Sequence, residues 1–289
     1  MKYITLNELN NTIRKNFSKI PHDIDFVIGI PRSGMIAGSI ISEFLNVPLI
    51  DIDSLCNGSK PTGGNRLTLV DKQPTNKVLV IDDTCYSGSS IKGAKDKLKD
   101  NTEYKFIYAA VYLEGNNGEK ELDFYLDDVR KYTKQFPNVI YEWNIFHHYP
   151  HIMLRCIFDI DGVLCCEPPD ERLQIMYEDY IKHAKPLFVP TVPIGKIVTY
   201  RLIKYEKETA QWLYDNGIQC NKMIMFNANT YEDRKNTGIT PEQMKAAAYM
   251  IDKEAILFIE SDDKQAKEIY KLSGKPVLCI ESNILYGNE

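Results

Sequence analysis

Two acidic pairs stand at the ends of apolar, β-branched runs of the chain. Asp82–Asp83 end the run VLVIDD, and Asp159 and Asp161 end the run CIFDID, with a glycine-containing turn after each pair. In open parallel sheets, ligands bind beyond the carboxyl ends of the strands. Each pair therefore marks a candidate site, and the two together predict two α/β domains.

The residues after the first pair suit a phosphate group. The run TCYSGSS, from Thr84 to Ser90, is small and rich in hydroxyl groups, and it leads into a helical pattern. The N–H groups and the dipole of a helix N-terminus favour an anion. Since aspartates would repel a phosphate, we expect Asp82 and Asp83 to accept hydrogen bonds from sugar hydroxyls, with Mg²⁺ nearby. The plainer alternative is that Asp83 or Thr84 only caps the helix.

The second pair suits phosphoryl transfer. A spacing of two residues on a strand places the carboxylates of Asp159 and Asp161 on one face. One carboxylate can attack phosphorus, while the other protonates the leaving oxygen and later activates water. Gly162 provides the tight turn directly behind them.

The elements that must position these acids alternate along the chain. Apolar runs predict strands at Asp25–Ile30, Lys77–Asp82, Phe106–Leu113, Cys156–Asp161, Lys196–Tyr200, Lys222–Phe226, Ala255–Glu260 and Pro276–Ile280. Helical patterns lie between them, for example at Met35–Leu45, Ile91–Lys99 and Tyr205–Asn216. Continuous apolar strands separated by helices predict an α/β fold, with mainly parallel sheets covered by helices on both faces. The change of composition between Asn144 and Leu154 predicts two domains, 1–150 and 151–289.

Composition narrows the function classes. The chain has 289 residues, 44% hydrophobic residues and a net charge of -5, which is typical of globular domains and argues against nucleic-acid binding. It contains no apolar run long enough for a membrane span or a signal peptide. The seven cysteines are scattered without a CxxC pair, which predicts a reduced, cytoplasmic protein.

VLVIDDTCYSGSS resembles the phosphoribosyl pyrophosphate (PRPP) signature of type I phosphoribosyltransferases. The resemblance implies that Asp82 and Asp83 hold the ribose 2- and 3-hydroxyls and that Mg²⁺ is required. It also implies a 5-phosphate loop formed by Thr84, Cys85, Tyr86, Ser87, Gly88 and Ser89. VIGIPRSGMIAG is similar to the pyrophosphate loop of the same family, which implies that Arg32, Ser33 and Gly34 contact the leaving group.

Two further segments correspond to variable parts of that family. Leu55–Thr68 is rich in glycine and carries Lys60 and Arg66. It resembles the loop that shields the transition state from water, with a solvated hairpin as the alternative. Glu114–Pro150 stands where salvage enzymes keep a short base-recognition hood, and no standard hood is found there. Its aromatic residues either stack on the acceptor or belong to the core.

LRCIFDIDGVL resembles the first motif of the haloacid dehalogenase (HAD) superfamily, and the later strands resemble its other motifs. The resemblance implies that Asp159 is the nucleophile and Asp161 the general acid/base, both near Mg²⁺. Thr199 matches the residue that contacts the phosphoryl group, and Lys245 matches the lysine that neutralises it. Glu260, Asp262 and Asp263 match the acidic motif that completes the metal site, and the resemblance does not distinguish which of them binds the metal. As alternatives, Lys245 is a solvated helix lysine and Arg201 a surface cation.

The short segment between Asp161 and Thr199 leaves room only for a small cap, which suits bulky substrates. The combination of both domains is similar to two-step ribofuranose-transferring systems of bacterial polysaccharide assembly. It implies phosphoribosyl transfer from PRPP to a glycan or another small acceptor, followed by removal of the 5-phosphate. The alternatives are nucleobase salvage with a fused nucleotide phosphatase, and a silent PRPP-binding regulator. The resemblance further implies a homodimer.

Overall fold

The computed structural model describes residues 1–64, 73–132, 139–147, 150–169 and 174–287. It divides into two compact units, Ile4–Trp143 and Asn144–Glu289, the latter including Met1–Tyr3. Each unit contains a mainly parallel sheet flanked by helices, which confirms the predicted fold class. No helix in the described ranges has both the length and the apolar character needed to cross a membrane.

The first unit is built on a five-stranded parallel sheet of order β3-β2-β4-β5-β6. The strands of this half of the chain are β1 (Lys2–Ile4), β2 (Phe26–Gly29), β3 (Leu49–Asp51), β4 (Lys77–Cys85), β5 (Lys105–Leu113), β6 (Phe124–Asp128) and β7 (Val139–Tyr141). Its helices are α1 (Leu6–Lys15), α2 (Gly34–Leu45), α3 (Ile52–Cys56) and α4 (Ser89–Leu98).

Both faces of this sheet are buried. Helices α1 and α2 cover the face that carries Val27, Leu79 and Ile81. Helices α3 and α4 cover the opposite face, which carries Val78 and Val80. Because β4 contributes apolar residues to both layers, its sequence before the acid pair is a continuous apolar run.

The second unit has a six-stranded sheet of order β10-β9-β8-β11-β12-β13, parallel except for the β12–β13 pair. Its strands are β8 (Cys156–Phe158), β9 (Ile194–Leu202), β10 (Cys220–Phe226), β11 (Leu257–Glu260), β12 (Val277–Cys279) and β13 (Ile284–Tyr286). Its helices are α5 (Pro150–Met153), α6 (Gln174–His183), α7 (Glu206–Asp215), α8 (Tyr231–Asn236), α9 (Pro241–Ile251) and α10 (Asp263–Ser273). Helices α9 and α10 pack on Ile157, Val198 and Phe258 of the sheet.

Strands β4 and β9 continue beyond their predicted carboxyl ends. The β4 ladder continues past the acid pair, where Thr84 is paired with Tyr112 and Cys85 with Leu113. Strand β9 likewise continues to Leu202, which is paired with Phe226. Asp82, the predicted last residue of its strand, and Asp83 therefore both lie inside β4, because β5 extends equally far. Thr199 lies inside β9, within the predicted strand Lys196–Tyr200. Strand β8 instead ends at Phe158, so Asp159 and Asp161 follow the strand, and the predicted strand end at Asp161 is wrong.

Candidate active sites

The first acid pair lies near the carboxyl end of β4. Asp82 and Asp83 are both buried, and Oδ1 of Asp82 accepts a 2.9 Å hydrogen bond from the backbone N–H of Asp83. Burial raises the pKa of Asp82 well above its usual range, and the charge of Asp83 raises it further. The indole Nε1 of Trp143 donates a 2.6 Å hydrogen bond to Oδ2 of Asp83. Two adjacent buried carboxylates are suited to accept hydrogen bonds from hydroxyl groups or to bind one cation together.

Residues 84–89 connect the acid pair to helix α4 and are named the phosphate loop here. Gly88 adopts φ 81°, a left-handed conformation that suits glycine, at the N-cap of α4. The Ser87 hydroxyl contacts the Ser89 hydroxyl at 3.0 Å and accepts the Ser89 N–H at 3.3 Å. Ser87 and Ser89 are exposed, so their hydroxyls and the first turn of α4 are open to an anion.

The sequence motifs do not reveal how closely residues 115–118 pack against this loop. These four residues, GNNG, are named the glycine segment here. A Cβ atom at Gly115 would lie 2.2 Å from the backbone oxygen of Tyr86, and one at Gly118 would lie 2.5 Å from Sγ of Cys85. Only glycine permits this approach at both positions. Arg130 fixes the segment, because its Nη1 donates a 3.1 Å hydrogen bond to Oδ1 of Asn116.

The residues expected to contact pyrophosphate lie between β2 and α2, beside the acid pair. A Cβ atom at Gly34 would lie 2.8 Å from the Ile81 backbone oxygen and 3.0 Å from Oδ1 of Asp82. The peptide between Pro31 and Arg32 is cis, and the Arg32 side chain is exposed. The structure thus places Gly34 next to Asp82, and Arg32 and Ser33 directly precede it in the same β2–α2 connection.

The segment Leu55–Thr68 is only partly described. Lys60 is exposed, and Thr62 forms an antiparallel bridge with Leu49. Arg66 lies outside the described residues. The shielding role of this segment stays a prediction.

The second acid cluster lies where β8 and β11 end and where α9 crosses them. The Lys245 Nζ donates to Oδ2 of Asp159 at 2.7 Å, to Oε2 of Glu260 at 2.7 Å and to Oε1 of Gln265 at 2.9 Å. Lys245 is 2% exposed, so the alternative of a solvated helix lysine is wrong. Burial raises the pKa of Asp159, and it raises that of Glu260 to about 7. The two carboxylates nevertheless hold the pKa of Lys245 above its usual range.

Asp161 has a different set of partners. The Arg201 guanidinium contacts both of its oxygens through Nε at 3.1 Å, and the Tyr180 hydroxyl lies 2.6 Å from Oδ1. Arg201 is 1% exposed, so the alternative of a surface cation is wrong. Burial would raise the pKa of Asp161, but Arg201 and the hydrogen bonds outweigh it and lower the pKa. The arrangement holds Asp161 in its ionised form.

The remaining predicted residues have roles within the fold. Thr199 is fully buried, and its Oγ1 accepts the Arg201 N–H at 3.3 Å. Oδ1 of Asp262 caps α10 by accepting the Gln265 N–H at 2.7 Å, and Oδ1 of Asp263 accepts the Tyr286 hydroxyl at 2.7 Å.

The structure therefore joins Asp159 with Glu260 and gives Asp262 and Asp263 other partners. Within the described part of the chain, no group of three or more His, Cys, Asp or Glu residues is arranged to hold a metal ion. The five metal-ligand assignments, Asp161 included, stay predictions.

Comparison with known proteins gives one family. Residues 5–147 match the family model described as "Phosphoribosyl transferase domain", and this range includes the acid pair, the phosphate loop and Arg32–Gly34. No curated protein matches the chain.

Similar solved structures come from several organisms. A purine phosphoribosyltransferase from Pyrococcus horikoshii is 19% identical, with a TM-score of 0.35, over 49% of this chain and 92% of that chain. A Helicobacter pylori xanthine-guanine-hypoxanthine phosphoribosyltransferase is 14% identical, with a TM-score of 0.34, over 50% of this chain and 92% of that chain. An orotate phosphoribosyltransferase from Aeropyrum pernix is 16% identical, with a TM-score of 0.33, over 43% of this chain and 71% of that chain.

Proposed function

We propose, from the premise that residues 5–147 form a phosphoribosyl transferase domain, that this protein is a bifunctional enzyme. It transfers a 5-phosphoribosyl group from PRPP to an acceptor and then removes the 5-phosphate, so that the net reaction is ribofuranosyl transfer. The acceptor that fits this scheme is a glycan in polysaccharide biosynthesis. The observation that carries the first step is the buried Asp82–Asp83 pair between the phosphate loop and Gly34.

In the first step, Asp82 and Asp83 accept hydrogen bonds from the two ribose hydroxyls. The phosphate loop and the first turn of α4 bind the 5-phosphate, which anchors the sugar at its other end. The bond between C1 and pyrophosphate breaks with its electrons on the leaving group, and Arg32 neutralises the developing charge. The paired carboxylates are oxygen ligands of the kind Mg²⁺ prefers, and the ion would add to this neutralisation when bound with PRPP.

In the second step, Asp159 attacks the phosphorus of the 5-phosphate. Lys245 orients this carboxylate and carries a positive charge toward the phosphoryl group. Asp161, held ionised by Arg201, suits the activation of water that follows. To protonate the leaving oxygen when the P–O bond breaks, Asp161 must first separate from Arg201 and take a proton from solvent. The burial of the Asp159–Lys245 pair supports this step, and no part of it is assigned to a metal ion.

The first test is an acceptor panel. Purified protein would be incubated with PRPP, Mg²⁺ and orotate, hypoxanthine or an oligosaccharide, and released pyrophosphate would be measured. We expect release with the oligosaccharide. Release with hypoxanthine alone would instead indicate nucleobase salvage, and PRPP binding without any release would indicate a regulator.

The second test addresses the coupling of the two steps. We expect Asp159→Asn to accumulate the 5-phosphorylated product at an unchanged rate of pyrophosphate release. The control is Asp215→Asn, since Asp215 is an exposed residue of α7. The coupled scheme is wrong if Asp159→Asn yields the same free ribosyl product as the unmodified protein.

A further inference from the structure

We propose that Glu114 is the base that takes the proton from the acceptor in the transfer step, and that the acceptor is an uncharged nucleophile that still carries this proton, such as a hydroxyl group. The inference rests on the proposed transferase function and extends it to the acceptor. Glu114 lies outside the acid pair, the phosphate loop and the pyrophosphate loop.

The position of Glu114 follows from the parallel pairing of β4 and β5. It is the first residue after β5, and its backbone N–H donates a 2.9 Å hydrogen bond to the carbonyl of Cys85, the last residue of β4. The backbone of Glu114 therefore lies at the start of the phosphate loop. Asp83 lies two residues before Cys85 on β4, so Asp83 and Glu114 lie on adjacent strands near the same carboxyl edge of the sheet.

The hydrogen bonds of Glu114 leave capacity for a further donor. Its Oε2 receives the Tyr141 hydroxyl at a long 3.4 Å, and in the described ranges its Oε1 accepts no hydrogen bond. The Tyr141 ring lies 5.0 Å from the Trp143 ring, which in turn donates its Nε1 proton to Asp83. Adjacent aromatic residues thus orient both carboxylates, and one of the two still has an oxygen for an acceptor hydroxyl.

The surroundings of Glu114 suit a proton acceptor. Burial raises its pKa to about 7, the Asp83 charge on β4 adds to this, and the Tyr141 hydrogen bond from β7 opposes it. Tyr112 of β5 is a further ionisable group, with its ring 6.0 Å from that of Tyr141. A base whose pKa lies near the working pH both accepts and releases a proton efficiently.

The hydroxyl proton of the acceptor moves to Oε1 of Glu114, and the oxygen electron pair forms the new bond to C1 of the ribose. The bond between C1 and pyrophosphate breaks, and its electron pair leaves with pyrophosphate. Glu114 then returns the proton to solvent. An acceptor that is already an anion would instead be repelled by Asp83 and Glu114.

The experiment compares Glu114→Gln and Glu114→Asp with the unmodified protein, with Glu103→Gln as the control because Glu103 is exposed in the same unit. Pyrophosphate release from PRPP and Mg²⁺ would be measured from pH 5.5 to 9 with glycerol as the hydroxyl probe and orotate as the anionic probe. For the unmodified protein, we expect kcat to rise with an apparent pKa near 7 and glycerol to react faster than orotate.

Glu114→Gln should lower kcat about 100-fold or more and remove the rise with pH, while the KM for PRPP stays within about 2-fold. Glu114→Asp should retain the rise at an intermediate rate. The inference is overturned if Glu114→Gln keeps the pH profile, if it changes only the KM for PRPP, or if orotate is the better probe. If the unmodified protein releases no pyrophosphate with any probe, the proposed transferase function itself fails.

Discussion

Lys245 and Arg201 are buried cations that pair with Asp159, Glu260 and Asp161 of the second unit. Taking a charge out of water costs several kcal/mol, and a partner with good hydrogen-bond geometry offsets that cost. Lys245 provides this for Asp159 and Glu260, and Arg201 provides it for Asp161. Removing one partner leaves the other charge buried and unpaired, which is more destabilising than the loss of the contact alone.

Lys245→Met should lower the free energy of unfolding by about 3–5 kcal/mol, because two buried carboxylates then face each other without a cation. The loss should be smaller at pH 5 than at pH 8, since protonation of one carboxyl relieves the repulsion. Urea denaturation at both pH values measures this. Lys271→Met is the control, because Lys271 is largely exposed and should change stability by less than about 0.5 kcal/mol. Equal effects of the two substitutions would contradict the prediction.

Glu114→Gln should flatten the pH dependence of stability between about pH 4.5 and pH 7. The pKa of Glu114 is raised from 4.5 to about 7 in the folded protein, so its ionised form is disfavoured there. The folded state binds more protons than the unfolded state in this window, and the free energy of unfolding therefore falls as pH rises. Glutamine removes this contribution, which we expect to be on the order of 1–3 kcal/mol.

The measurement is the difference in unfolding free energy between pH 5 and pH 8 for both proteins, with Glu103→Gln as the matched control. An identical difference in Glu114→Gln and the unmodified protein would show that Glu114 is ordinarily solvated.

Residues in local motifs could be predicted from the sequence, and residues positioned by tertiary contacts could not. Asp82 and Asp159 belong to short strand–turn patterns, so their types and spacing suffice. Arg201 and Trp143 have ordinary sequence surroundings, and only the folded chain brings them to Asp161 and Asp83. The aromatic richness of Glu114–Pro150 was the one available signal for Trp143.

The contact between the glycine segment and the phosphate loop belongs to the scale of elements. Because a Cβ atom at Gly118 would lie 2.5 Å from Sγ of Cys85 and 3.0 Å from the Tyr86 oxygen, Gly118→Ala should displace the loop. We expect the KM for PRPP to rise about 10-fold and stability to fall by about 1–3 kcal/mol. Pyrophosphate-release kinetics and thermal unfolding measure the two effects.

Gly93→Ala is the matched control for this substitution. Gly93 lies in α4, and a Cβ atom there would meet nothing within 4 Å. Alanine should therefore stabilise the helix by up to about 1 kcal/mol and leave the KM unchanged. Gly118→Ala with an unchanged KM would mean that the phosphate loop tolerates the displacement.

The length of the apolar run explains which strands could be predicted. Strands β4 and β5, with nine residues each, are clear in the sequence because both of their faces are apolar. Strands β8 and β12 have only three residues each but lie within the longer predicted runs Cys156–Asp161 and Pro276–Ile280, whereas β3 and β13, equally short, were not predicted. Strand β6 (FYLDD) ends in acids and is only partly buried, so its pairing with β5 defines it more than its composition does.

At the scale of the whole molecule, each unit has its own sheet and its own buried core. Each unit also contains one of the two tryptophans, Trp143 in the first and Trp212 in the second. A ligand that binds only the folded first unit should stabilise that unit alone. At 100 times its Kd, PRPP with Mg²⁺ should add about 2.7 kcal/mol to the first unit.

Calorimetry should then show one unfolding transition that shifts upward with PRPP and one that does not. The tryptophan fluorescence of Trp212→Phe comes from Trp143 and should report the transition that shifts. The fluorescence of Trp143→Phe comes from Trp212 and should report the transition that does not shift. A single transition, or an equal shift of both, would contradict independent units.

The fold class of the whole chain could be predicted because alternating strand and helix patterns persist from one end to the other. The acceptor could not, since Glu114, the base proposed for it, meets Tyr141 only in the folded chain. The activity of the second unit stays a proposal, supported by Lys245 between Asp159 and Glu260.

The close packing of Gly118 on Cys85 also affects how the protein can be labelled. Cys85 is 3% exposed, and burial with the nearby Asp82 raises the pKa of its thiol to about 11. Thiol-directed dyes react with exposed thiolates, so they should spare the phosphate loop. Cys56 on α3 is exposed, and a maleimide fluorophore attached there would leave the thiol of the loop unmodified.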